Sequence, residues 1–131
     1  MKKIITMLLF AFIFGLSANP IYAQDKYPDN LAKNFPDAES FYNSLDKNQY
    51  EEYTNAKMNI REKVSFKDIN KVLSKADHFL GKNRVAGEGF NPNRQVYVFL
   101  TVSEDGKYIK NLIVDAETKR PIIKSEPLKK P

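Results

Sequence analysis

Side chains able to do chemistry are scarce here, and their spacing narrows the choice further. The chain has one histidine, His78, and no cysteine. Without a thiol or a second imidazole, the usual nitrogen and sulfur ligand sets for zinc or copper cannot assemble. A cysteine nucleophile is excluded, and no Gly-x-Ser-x-Gly turn supplies a serine for His78 to activate. If residues 65–80 are helical, the helical period places His78 about 180° from Ile69, towards solvent. Glu51 and Glu52 are adjacent, so a helix would point them apart. Glu104 and Asp105 sit in "SEDG", which lacks the ligand series of a calcium loop. The segment "AGEGFNPN" (86–93) has two glycines but leads into a strand, and no Gly-Lys-Ser/Thr follows, so it reads as a loop rather than a phosphate cradle. No cofactor and no metal are expected. The one catalytic alternative left open is a hydrolase whose two carboxylates are brought together by the fold.

Binding chemistry has more material. Lys119, Arg120, Lys124, Lys129 and Lys130 gather near the carboxyl end, and Tyr97, Phe99 and Tyr108 lie on neighbouring strands where they could stack bases. Glu117 and Glu126 interrupt that cluster. The formal net charge of +5 falls to about +3 once Lys2 and Lys3 are set aside. Nucleic acid is therefore not expected as a partner. Seven tyrosines and nine phenylalanines are many for 131 residues. Tyr42, Tyr50 and Tyr53 cluster in one region and either pack on a sheet or form a protein-binding face, since tyrosine supplies contact area at low entropic cost. With Phe90 in the following loop, they are the candidate partner-binding residues.

The elements that must position these groups follow from periodicity. Asp37 can cap a helix carrying Phe41, Tyr42 and Leu45. Asp46 with Gln49 three residues on resembles a capping box, so 37–59 reads as two short helices or one bent helix. Ser65 caps the next helix, in which Ile69, Val72, Leu73, Ala76 and Leu80 repeat at helical spacing, with Gly81 at its end. After a loop at 83–94 the period changes from 3.6 to 2. In "QVYVFLTV" (95–102), Val96, Val98, Leu100 and Val102 share one face, and Tyr97, Phe99 and Thr101 the other. "SEDG" (103–106) turns the chain, "KYIKNLIV" (107–114) returns antiparallel, "DAETKRP" turns again, and "IIKS" (122–125) adds a short edge strand. The fold class expected is α+β: N-terminal helices, then a helix packed on a small antiparallel β-meander.

Residues 1–23 carry an address. Lys2 and Lys3 precede an uncharged apolar run of 13 residues, 4–16, and a polar exit ending at Ala23. That order is the pattern of a signal peptide, and a 13-residue helix spans only about 20 Å against a hydrocarbon core of about 30 Å. The expected organisation is a signal peptide at 1–23, an extended leader at 24–36, a single α+β domain at 37–125 and a flexible tail at 126–131. Without cysteine, the exported domain would rest on its core rather than on disulfides.

The helix opened by "VSFKDINKVLSKA", followed by "RQVYVFLTVSEDGKYIKNLIVDAETKRPI", resembles the PepSY type of small exported domain over about 64–122. That family closes its second strand with a phrase like Val-Asp-Ala-x-Thr-Gly-x-Val. Here Val114-Asp115-Ala116-Glu117-Thr118 matches it, with Lys119 in the glycine position and Pro121-Ile122 following. Cystatin-like exported domains, also a helix against a curved antiparallel sheet, are similar in the same way. The resemblance implies a non-catalytic module outside the membrane that binds or restrains peptidases, and it carries over no catalytic residue. The function expected is thus a small secreted binding module, an inhibitor of a peptidase or other extracellular enzyme, with a protein partner and a monomeric state. The alternative is an envelope-associated structural protein of a bacterial surface. Mass spectrometry of culture medium separates them: a soluble species beginning at Gln24 is expected, whereas a full-length, membrane-bound species supports the alternative.

Overall fold

The computed structural model describes residues 26–80 and 83–127. The signal peptide expected at 1–23, the helix end expected at Gly81 and residues 128–131 of the expected tail lie outside the described residues. The elements in chain order are α1 (Ala38–Ser44), β1 (Met58–Ser65), α2 (Ile69–Leu73), α3 (Asp77–Leu80), β2 (Gln95–Val102), β3 (Ile109–Asp115) and β4 (Pro121–Ser125). The four strands form one antiparallel sheet in the order β1-β2-β3-β4, so the fold is α+β.

The central strand dictates the layering. Every residue of β2 from Val96 to Val102 is buried, on both faces. A strand that is apolar on both sides needs cover on both sides. On one face Val96, Val98, Leu100 and Val102, with Ile60 and Ile113, meet Ile69, Val72, Leu73 and Ala76. On the other, Tyr97, Phe99, Leu112 and Val114 meet Ala38, Phe41 and Tyr50. Phe41 stacks on Tyr97 with ring centroids 4.1 Å apart, a contact that adds to simple area burial.

Two expectations are corrected. Residues 37–59 are neither two helices nor one bent helix. Asp37 does cap α1, its carboxylate accepting from the Ser40 N–H at 2.7 Å, but Asp46 and Gln49 close only a single turn. Extended chain follows, and then β1. Met58, Ile60 and Val64 alternate along β1, but Glu62 falls on the same side and breaks the apolar pattern. In the fold that charge is accommodated by an ion pair with Lys75. A strand therefore precedes the helical layer, so the order is helix, strand, helical segment and three strands. The helical segment is also broken: 3₁₀ turns at Phe66–Asp68 and Ser74–Ala76 flank α2, and Ser65 makes no side-chain cap. His78 is exposed, as its phase requires.

Residues 26–36 turn at Leu31–Lys33, where the Lys33 N–H donates to the Asn30 carbonyl at 2.9 Å, and are held against the domain. Arg94 and Asp115, with side chains 3% and 1% exposed, form a bidentate pair at 2.7 and 2.8 Å. The Arg94 guanidinium also donates to Glu117 at 2.5 Å and to the Pro28 carbonyl at 3.2 Å, and Glu117 pairs with Lys33. Buried Asn30 accepts from the Gln95 N–H at 2.8 Å, and the Tyr97 hydroxyl donates to the Pro36 carbonyl at 2.7 Å. Tyr27 bridges to Phe90, whose ring lies between those of Tyr27 and Phe66 at 4.1 and 4.7 Å.

Burial pushes the Asp115 carboxyl up, but hydrogen bonds from Arg94 and the Thr118 N–H outweigh it and hold it below its ordinary 3.8. Lys33, with help from Arg94, likewise holds Glu117 below 4.5. A depressed folded value contributes stability that is complete above the unfolded value and is lost as pH falls through the folded one. Arg94→Met should lower stability to urea by about 3–5 kcal/mol, because it leaves a buried carboxylate unpaired. It should also move acid unfolding to higher pH, since Asp115 then lacks its counter-charge. Unchanged urea and acid midpoints in Arg94→Met would show that the pair has no such role.

Candidate binding groove

The site begins at a stiff turn. In Ser103-Glu104-Asp105-Gly106, the Asp105 carboxylate accepts from the Ser103 hydroxyl at 2.6 Å and from the Lys107 N–H at 3.0 Å. These bonds hold its carboxyl below the usual range. Gly106 takes φ +74°, where a side chain would be strained. The Tyr108 N–H donates to the Ser103 hydroxyl at 3.0 Å. Tyr108 is consequently presented outward, 44% exposed; with Leu31 it makes up the exposed large apolar residues among those described.

A second segment comes to meet it. Thr101 is fully buried, and its hydroxyl accepts from the Tyr53 N–H at 3.1 Å while donating to Asn59 at 2.7 Å. This lays residues 51–53 along the end of the sheet. Lys110, opposite Thr101 in register, leaves the same face. Its ammonium sits 4.2 Å from the Tyr53 ring centroid and donates to the Glu51 carbonyl at 2.5 Å. Burial first, then the nearby Glu126, Tyr108 and Asp105, push the Tyr53 phenol up.

Two hollows meet at Tyr53 and Tyr108. The larger, an open groove of about 650 Å³, is bounded also by Lys47, Tyr50, Lys110 and Lys124. The smaller, about 490 Å³, is bounded by Ser103, Glu104 and Asp105. The groove exists because the layer formed by α1 and residues 46–53 covers β1 to β3 on this face and stops short of β4. Lys124, opposite Leu112 in register, stands there and pairs with Glu126 at 3.1 Å. An ammonium has three donors, so Lys110 and Lys124 keep capacity beyond these contacts, and Lys47 makes no ion pair among the described residues. Phenol rings beside ammonium groups suit an extended ligand with acceptor oxygens and an apolar or aromatic side chain. Glu51 and Glu126 also reach the groove, Glu126 in its pair with Lys124. Among the described residues no group of three or more His, Cys, Asp or Glu side chains could hold a metal ion.

Of the residues singled out from sequence, Tyr50 and Tyr53 come together here. Tyr50 is 4% exposed and contributes to the floor. Tyr42 is half-buried beneath Arg61, whose guanidinium lies 3.6 Å from its ring centroid and is gripped by Glu52 at 2.6 and 2.7 Å. Phe90 lies elsewhere, in the stack with Tyr27 and Phe66. Tyr97 and Phe99 are fully buried, so they cannot join Tyr108 in an exposed stacking platform. Lys47, Lys110 and Lys124 were not singled out together, since only their places on the folded sheet bring them to one hollow. Comparison of the chain with protein-family models, with curated proteins and with solved structures found no match.

The Tyr50 hydroxyl is buried and lacks a hydrogen-bond partner. Burial, then the Glu52 charge, pushes its phenol far above the ordinary tyrosine value. Tyr50→Phe removes an unsatisfied buried group and should raise stability by about 1 kcal/mol. It should also lessen alkaline unfolding, because a raised folded value costs stability as pH climbs past the unfolded value of 10.0. Urea melts at neutral and alkaline pH check both; a destabilised Tyr50→Phe would mean that the hydroxyl has a partner in solution.

Proposed function

We propose that the chain is a small exported, non-catalytic binding module that holds a protein partner at the groove between Tyr53, Tyr108 and the three lysines. The observation that carries this reading is the convergence of an exposed tyrosine, a second tyrosine under a lysine, and two further lysines in one open groove. Tyrosines and well-placed cations are what concentrate binding energy in protein interfaces. The signal-peptide pattern at 1–23 supports export, and no described helix is long and apolar enough to cross a membrane. The resemblance of 64–122 to PepSY-type and cystatin-like modules supports the same reading, with restraint of an extracellular enzyme as the outcome of binding.

Immobilised protein should retain an extracellular protein reproducibly. Tyr108→Ala should cut that retention by about tenfold or more, the cost of losing an interface anchor of 1.4 kcal/mol or above, with the circular dichroism spectrum unchanged. Equal retention by Tyr108→Ala would move the partner site away from the groove. Turnover of a glycoside or ester by the wild type, lost in Glu51→Gln, would replace the binding module with a hydrolase.

A further inference from the structure

The two edges of the sheet are unlike. On β1, Arg61 is bound by Glu39 and Glu52, Glu62 pairs with Lys75, and the Lys63 ammonium donates to the Phe35 carbonyl at 2.9 Å. Three consecutive residues of that edge are therefore tied to neighbouring elements, and fixed charge of this kind guards an edge against added strands. On β4 the ion pair between Lys124 and Glu126 is local, with side chains 37% and 46% exposed, and such a pair exchanges partners at little cost. β4 ends the sheet, with β3 on one side and no described strand on the other. Pro121 has no N–H to offer, which leaves Ile122–Ser125 as the stretch whose outward backbone groups can pair.

We infer that the partner enters as an extended segment that adds a strand to the outer edge of β4 and sets an acidic side chain between Lys110 and Lys124. This rests on the groove being the partner site. Main-chain pairing would supply affinity, and the groove would read alternate side chains. An added strand lies about 4.8 Å beyond β4, so its side chains on one face project over Lys124 towards the groove. Leu112 is opposite Lys124, and Lys110 lies two residues before Leu112 on the same face. The two lysines are thus diagonal neighbours with backbones about 7–8 Å apart, a gap that one carboxylate can bridge. The residue two places from that acid, on the same face of the added strand, meets Tyr53 and Tyr108. The groove carries three lysines against two glutamates, so a second copy of this chain would bring lysines against lysines, whereas an acidic segment complements them.

The test uses the purified, isotope-labelled protein and two blocked nonapeptides, Thr-Val-Thr-Val-Glu-Val-Tyr-Val-Thr and its counterpart with lysine for glutamate, followed by amide NMR. The acidic peptide should shift the amides of Ile122–Ser125 and of Lys110, and bind about tenfold more tightly than the basic one. In Lys110→Glu/Lys124→Glu the preference should reverse; Lys124→Glu alone, at an exposed position, should abolish it should the double variant fail to fold. Shifts confined to β1 or the helical segment, equal affinity for the two peptides, or no saturable shift at millimolar peptide would each overturn the inference. Should Tyr108→Ala still abolish capture of the extracellular partner in those cases, the groove stands and strand addition falls. Should both fail, the groove is not the partner site.

Discussion

The Arg94–Asp115 pair is the constraint from which the rest of the arrangement follows. A buried ion pair adds little net stability over well-packed apolar side chains, but removing one partner is costly. Here it fixes relations between segments far apart in sequence. Arg94 stands at the entrance to β2, reaches the Pro28 carbonyl and Glu117, and so ties the amino-terminal stretch to the sheet. Asp115 ends β3 and uses its remaining capacity on the Thr118 N–H at 2.8 Å. The next residue, Lys119, takes φ +60° with its N–H on the Asp115 carbonyl, where glycine would be the unstrained choice. That turn launches β4, and the place of β4 defines the groove. What reads in sequence as the polar phrase "DAETKRP" is thus the hinge point of the whole edge.

Uneven cover of the sheet explains where a binding surface is left. The face carrying Tyr97, Phe99 and Leu112 is roofed by an aromatic layer in which Phe41, Tyr42 and Tyr50 each contact Phe99, Phe41 also stacks on Tyr97, and Tyr42 meets Tyr50 edge-on. Arg61, gripped by Glu52 and Glu39, pins that roof to β1. The burial that stabilises the fold ends at Tyr53, and beyond it the polar edge of β4 begins. Aromatic residues near that boundary divide between the two tasks. Tyr42 and Tyr50 serve packing, and Tyr53 and Tyr108 face the groove.

Much of the sheet was legible because β2, and β3 from Leu112 to Val114, are short apolar runs rich in β-branched and aromatic residues and bounded by turn signals. α1 was legible through Asp37. β1 was not, because Glu62 interrupts the alternation and its compensation by Lys75 is a tertiary contact. The packing of residues 26–36 was hidden for the same reason: nothing local in "KYPDNLAKNFP" shows that Asn30 will meet Gln95 or that Tyr97 will hold Pro36. At the groove, Tyr50 and Tyr53 could be picked out by type. Lys110 and Lys124 could not, since their proximity depends on a register shift between Ile113 and Val114.

The clamp joins residues 27–33 to residues 94–117, and β1 finds its partner β2 only across the intervening helical segment. Contacts of such long sequence separation carry a loop-closure cost that slows folding. A chain emerging amino end first therefore cannot seal its leading stretch until Glu117 has followed it out. Tyr27 waits for Phe90, Asn30 for Gln95 and Lys33 for Glu117. The fold therefore locks only when the segment from Phe90 to Glu117 is in place to receive residues 27–33.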